Sequence, residues 1–145
     1  MEAVLFIGIQ GSGKTTFYAE RFLKTHLRIS LDMLKTRNKE WQFFQLCLET
    51  GQKLVIDNTN PTVASRAGYI QAAKAKNFTV SGYYFNSTLT EAIKRNKLRV
   101  GKELVKDVGI RATYKILQPP TFVEGFDALF EITIRDGRFC IMEIQ

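Results

Sequence analysis

Between Phe6 and Phe17 the chain reads FIGIQGSGKTTF, an apolar run that breaks into three glycines, a lysine and two threonines. Gly8-Ile9-Gln10-Gly11-Ser12-Gly13-Lys14-Thr15 satisfies the spacing G-x-x-x-x-G-K-[ST] at every position, and Thr16 follows it. Glycines let the backbone curl so that successive N–H groups point inward. A helix opening at the end of the curl adds the positive end of its dipole. The result is a cradle for phosphate. The Lys14 ammonium can reach β- and γ-phosphates, and the Thr15 hydroxyl can ligate Mg²⁺. The competing reading is a chance glycine turn before a helix. Apolar Ala3–Ile7 in front and a helical pattern over Lys14–Lys24 behind supply the strand–loop–helix context that the motif requires.

From this loop onward, strands and helices alternate. Arg28–Ser30 reads as a short strand. Asn38–Thr50 reads as a helix with Trp41, Phe44 and Leu48 at i, i+3 and i+7, ended by Gly51. Lys53–Asp57 is a buried-type strand, and Thr62–Lys76 a helix with Pro61 near its start. Phe78–Phe85 follows as a strand and Thr90–Arg99 as a helix. Lys102–Gln118 is basic and helical in pattern, stopped by Pro119-Pro120. Leu129–Arg135 and Arg138–Ile144 flank Asp136-Gly137, a hairpin signal. The pattern predicts an α/β fold: a P-loop NTPase/kinase-like parallel sheet flanked by helices, with a helical lid over Val100–Gln118 and a C-terminal β-hairpin. Its 145 residues are the size of one domain.

Composition limits the remaining classes. No apolar stretch reaches the roughly 18 residues of a membrane span, and MEAVLFIG lacks the basic flank of a signal peptide. The expectation is a soluble, cytoplasmic protein. Cys47 and Cys140 show no metal spacing and read as two small buried hydrophobes. Lys and Arg number 21 against 14 Asp and Glu, a net charge of +7. ATP needs only a local basic patch, so the surplus suggests a second anionic partner, nucleic acid first. Solubility charge on solvated helix faces remains the alternative.

Asp57 ends the apolar strand Leu54-Val55-Ile56, a carboxylate at a strand tip beside the loop and near the metal. An acidic cap on the turn Asn58-Thr59-Asn60-Pro61 is the weaker competing reading. GTPase features are missing: there is no Asn-Lys-x-Asp, and no Asp-x-x-Gly follows the loop. The chain is also short for a motor or ring ATPase, which leaves a small kinase. A kinase needs a base or orienting group for the acceptor hydroxyl. Asp32 is the candidate, with helix capping an equal alternative. Lys35 and Arg37 just beyond could hold an acceptor's phosphate or be plain surface charges. Arg95 and Arg99, at i and i+4 of a helix, would share one face and suit β/γ-phosphates. Lys94, Lys97 and Lys102 around them fit a solvated basic face instead. His26, the only histidine, reads as a surface or helix-end residue, and Trp41 and Phe44 as core. An aromatic there could also stack on a terminal base.

GSGKTTF, then Asp32, VIDNTNPTVASRAGYI, FNSTLTEAIKRNKLR and PPTFVEGFDALFEI occur in this order. Together they closely resemble the kinase domain of animal polynucleotide kinase-phosphatases. The bacteriophage 5′-polynucleotide kinases and bacterial end-healing kinases resemble them more loosely. The resemblance implies transfer of the γ-phosphate of ATP, with Mg²⁺, to a 5′-hydroxyl of DNA or RNA. It makes Lys14 and Thr15 the loop lysine and metal-binding hydroxyl, Asp32 the general base, and Asp57 the aspartate of the DNTN segment. Arg95 and Arg99 match basic positions of the phosphate-clamping lid, Arg99 the better. Lys35 falls where phage relatives carry a phosphate-gripping arginine, so charge is kept and the bidentate fork lost. Lys35, Arg37, Asn58 and Thr59 are the candidate acceptor-binding residues, and Arg66 reads as bracing its helix. The lead-in ISLDMLKTR and the lid over 101–115 depart from the animal pattern. No paired-aspartate phosphatase signature is present, so a separate phosphatase or ligase partner is expected. A small-metabolite kinase and a non-catalytic nucleotide-binding module of a nucleic-acid complex are the alternatives. Pro119–Gly125 is the candidate segment for adenine.

Overall fold

Glu2–Ile7 (β1) is fully buried after its first residue, as a central strand covered on both faces must be. The computed structural model describes residues 1–101 and 104–145. In it β1 pairs in parallel with Leu54–Ile56 (β3) on one side and Thr79–Phe85 (β4) on the other. Leu27–Ile29 (β2) lies beyond β3, and Ala128–Arg135 (β5) beyond β4, both parallel. Arg138–Ile144 (β6) runs antiparallel to β5 and completes a six-stranded sheet of order β2-β3-β1-β4-β5-β6. After β1 the chain builds one side of the sheet, then crosses to the other. The carboxyl end of β1 is therefore the switch point, where such sheets bind ligands.

Among the described residues six α-helices accompany the strands: Lys14–Arg21 (α1), Leu31–Leu34 (α2), Arg37–Thr50 (α3), Val63–Ala75 (α4), Leu89–Asn96 (α5) and Asp107–Ile116 (α6). Alternation along β1 feeds two cores. Ala3, Leu5 and Ile7 pack with Phe44, Tyr69 and Ile70 of α3 and α4. Val4 and Phe6 pack with Phe17 and Tyr18 of α1, and with Phe22 and Phe85. Local chemistry sets the helix ends. Thr36 caps α3 by accepting from Lys39 N–H, and left-handed Gly51 stops it. Thr62 and Ser65 form a reciprocal capping box on α4.

The hairpin turn has positive φ at both Asp136 (51°) and Gly137 (72°), as its sequence predicts. Elsewhere the boundaries move. The helix expected to run to Arg99 ends at Asn96, because that buried side chain folds back onto the lid. Asn96 Nδ2 donates to Val105 O at 2.5 Å, and Val105 N donates to Asn96 Oδ1 at 3.0 Å. Arg99 thus lies beyond α5 rather than on its face. The helix expected from Lys102 begins at Asp107; Lys102 and Glu103 lie outside the described residues. The four-residue α2 has no signal in spacing. Cys47 is buried as expected, but Cys140 is exposed, because β6 is an edge strand. His26 is buried rather than on the surface, and its Nε2 lies 2.8 Å from Glu2 Oε1. No helix among the described residues is long and apolar enough to cross a membrane.

Candidate active site

The loop leaves β1 at Gly8, whose N–H donates to Thr59 O at 3.0 Å. Gly11 and Gly13 take φ values of 79° and 93°, and Gly13 is the N-cap of α1. A β-carbon on Gly11 would sit 2.4 Å from Ala92 O, so only glycine lets helix α5 lie this close. Ser12 and Lys14 are buried, and Thr15 and Thr16 are exposed at the start of α1. Lys14 Nζ donates to Gly8 O at 2.9 Å and Ile9 O at 2.8 Å, bridging the curl. Burial lowers the Lys14 pKa to about 8 against the pull of Asp57, with Arg99 lowering it further and Asp32 opposing. This cation is short of negative charge, and phosphate is what would supply it.

Sign follows from that shift. Phosphate beside Lys14 favours its charged form and raises its pKa, so binding above about pH 8 takes up a proton. Nucleotide affinity without divalent cation is expected to be flat in this respect below about pH 8, and to fall by about tenfold per unit above it. Titration calorimetry at pH 9 in buffers of different ionisation enthalpy would show the uptake. An unchanged heat between buffers would remove Lys14 as its source.

Thr15 Oγ1 donates to Asp57 Oδ2 at 3.0 Å, so the loop hydroxyl and the strand-tip carboxylate meet as predicted. A hydroxyl and a carboxylate oxygen beside a phosphate cradle fit a hard cation such as Mg²⁺. Sequence reasoning missed Arg28. Its Nε donates to the same Asp57 Oδ2 at 2.7 Å, and its second terminal nitrogen to Thr15 Oγ1 at 3.3 Å. This guanidinium ties the Asp57 carboxylate and the Thr15 hydroxyl together. Its only available signal was its place in the short strand that precedes Asp32.

Asp32 is exposed in the first turn of α2. Its position is set from below. Leu31 N donates to Asn58 Oδ1 at 2.8 Å, and Asn58 Nδ2 donates to Glu40 Oε2 at 2.5 Å. The Tyr69 hydroxyl donates to the other Glu40 oxygen, and Arg37 donates to that hydroxyl at 3.3 Å. Burial first, then the bond to Glu40, pushes the Tyr69 phenol well up. Glu40 is 1% exposed, a buried carboxylate with three polar partners, and nothing in its spacing announced it. Both ends of the Asn58 amide are engaged within the protein, and Thr59 contributes its carbonyl to Gly8. Lys35 and Arg37 are exposed beside Asp32. Lys35 has φ 77° and ψ −37°, and Thr36 N donates to Leu34 O across it at 3.0 Å. That is a γ-turn, strained for a residue with a side chain.

The lid lies against the loop from the other side. Arg95 donates to Gly11 O at 3.1 Å and to Ser87 Oγ at 2.8 Å, fastening α5 to the glycine curl. Gln10 Nε2 donates to Thr113 Oγ1 of α6 at 3.1 Å. Ile9, Ala92 and Ile110 form a small apolar cluster beneath them. Arg99 reaches the Lys14 environment through its charge. Arg66 is wholly buried and forms a bidentate pair with Glu124 at 2.7 and 3.0 Å, while donating to Asn60 O at 2.9 Å. It joins the DNTNP turn to Phe122–Glu124 of the segment proposed for adenine.

Loop, lysine and strand-tip aspartate converge at the switch point of a largely parallel sheet, which is the construction of a P-loop domain with kinase-like architecture. More particularly, residues 4–120 match the AAA domain family, and the chain belongs to it. It is 27% identical over 138 residues to the bifunctional polynucleotide phosphatase/kinase of Schizosaccharomyces pombe, covering 92% of this chain and 34% of that protein. An Acanthamoeba polyphaga mimivirus protein, named as a candidate of the same bifunctional kind, is 32% identical over 141 residues, covering 91% of this chain and 33% of its own. The chain thus spans about a third of the length of these curated relatives. A gluconokinase from Sinorhizobium meliloti shares the fold at 14% identity and a TM-score of 0.65, over 91% of this chain and 82% of that one.

Proposed function

We propose that this chain is a cytoplasmic, ATP-dependent polynucleotide 5′-hydroxyl kinase acting on DNA or RNA ends. The observation that carries a kinase is buried Lys14 bonded across the glycine curl beside the Thr15–Asp57 contact, at the carboxyl end of β1. In this reading Asp32, exposed in the first turn of α2, is the carboxylate for the acceptor hydroxyl, and Arg99 the guanidinium for the phosphoryl oxygens. The polynucleotide acceptor is supported by the two relatives named for it, and by the net charge of +7. Bound ATP with Mg²⁺ supplies the transferable phosphoryl group. Lys14 and the loop amides hold its phosphates, and Thr15 and Asp57 provide oxygens for the metal. Asp32 orients the 5′-hydroxyl and takes its proton. Arg99 offsets charge on the phosphoryl oxygens, and Arg95 keeps the lid on the loop beside it. Lys35 and Arg37 grip backbone phosphates, so acceptor affinity falls as salt rises. We assign phosphatase or ligase work to a separate partner.

Transfer of labelled γ-phosphate to matched 5′-hydroxyl DNA and RNA oligonucleotides, with free nucleosides alongside, tests this. Label on an oligonucleotide, lost in Lys14→Ala, is the expected result. Label on nucleosides alone would overturn the acceptor; no label despite ATP binding would leave a non-catalytic module. The strained γ-turn gives a second check. Lys35→Gly is expected to stabilise the protein by about 1 kcal/mol in denaturant melts and to raise the acceptor KM. Stabilisation with an unchanged KM would show that Lys35 does not bind the acceptor.

A further inference from the structure

Between the first turns of α3 and α4 lies a cavity of about 480 Å³. Arg37 and Trp41 line it from α3, and Ser65, Gly68 and Tyr69 from α4, with Glu40 contributing to the wall between them. Its size is that of a small-molecule site. The Trp41 ring is anchored on the core side, with centroids 5.0 Å from Phe44 and 5.8 Å from Tyr69, yet the residue remains 37% exposed. Opposite it stands Gly68, in the middle of a helix, where glycine is unfavourable relative to alanine. A β-carbon at Gly68 would meet the tip of the Trp41 ring at 3.9 Å, an ordinary contact. Folding therefore does not demand glycine there, and the residue keeps the cavity wall beside the indole small.

The cavity is also wired to the proposed catalytic residue. Glu40 in its wall bonds Asn58, and Asn58 bonds the N–H of Leu31, the neighbour of Asp32. Lys35 and Arg37 lie between Asp32 and Trp41 along the chain, both exposed. A basic edge thus leads from the catalytic carboxylate to an aromatic platform, the combination that holds single-stranded nucleic acid. The Arg66 and Glu124 pair lies at the junction of α4 with the candidate adenine segment, and none of that segment lines the cavity.

We infer that this cavity is an acceptor subsite. A nucleobase close to the reacting 5′ end stacks on Trp41, and its flanking phosphate lies on Arg37. Stacking on the indole face makes the subsite tolerant of base identity and selective for an unpaired end. The inference rests on the polynucleotide kinase reading.

Trp41 is the only tryptophan in the chain, so intrinsic fluorescence reports on the subsite directly. The full chain would be titrated with a single-stranded 5′-hydroxyl oligonucleotide, with the same strand made abasic near its 5′ end, and with ATP alone. Phosphorylation kinetics of wild type, Trp41→Leu and Gly68→Met would run beside. Quenching is expected from the base-bearing strand alone. Trp41→Leu is expected to raise KM for that strand roughly tenfold, with kcat changed by no more than about twofold. The abasic strand should show the raised KM already in wild type, with Trp41→Leu adding nothing. Gly68→Met should reproduce the KM effect by filling the space without deleting the ring. Equal KM for intact and abasic strands, with no quenching, would overturn the subsite and leave the kinase reading standing. Quenching by ATP alone would overturn it by making the cavity a donor-base site. Base-dependent quenching without any phosphorylation would keep the subsite and overturn the kinase reading.

Discussion

Asp32→Asn is expected to lower kcat for 5′-phosphorylation by about 10²- to 10⁴-fold, the range associated with loss of a positioned base. Asparagine keeps the size and one acceptor oxygen of the side chain but cannot take a proton at neutral pH. Asp32 is exposed on the surface of α2 and makes no described side-chain bond that the fold depends on, so the variant should melt at the wild-type temperature. ATP affinity should change by no more than about twofold, because the loop amides and Lys14 remain. The loss then lies in turnover, read by steady-state kinetics with a parallel nucleotide titration. Full activity in Asp32→Asn would reject the role. A loss matched by weaker ATP binding would place Asp32 in the donor site instead.

The second large effect is on stability. Arg66→Met is expected to cost about 3–5 kcal/mol, the range for breaking a buried ion pair by removing one partner. Arg66 and Glu124 have side chains only 0% and 4% exposed, and the guanidinium also serves Asn60 O. Removing it leaves the Glu124 carboxylate desolvated without its partner and a buried carbonyl unsatisfied. Arg66→Met combined with Glu124→Leu should recover much of the loss, because an apolar pair of similar volume avoids the stranded charge. Urea melts of the single and double variants would show it. A single variant within about 1 kcal/mol of wild type would mean that water reaches the pair.

The glycine loop, the alternating elements and the Asp-Gly hairpin were legible from neighbouring residues, because each depends on short-range stereochemistry. Thr15 and Asp57 were also foreseeable as partners, since a strand tip beside the loop is dictated by parallel topology. Arg28 on those same oxygens was not, because one strand arginine has the same spacing whether it faces solvent or a carboxylate. Glu40 was read as part of an ordinary helix. Its burial depends on Asn58 and Tyr69, 18 and 29 residues away, and no local pattern records that meeting. The same holds for Asn96, whose side chain ends α5 before Arg99 by pairing with Val105 across the base of the lid. Short-range propensity thus specified the elements and the phosphate loop. The buried carboxylate of Glu40 and the packing of Trp41 on Tyr69 came from long-range contacts, where the cost of burying a charge or a polar group is settled by partners distant in the chain.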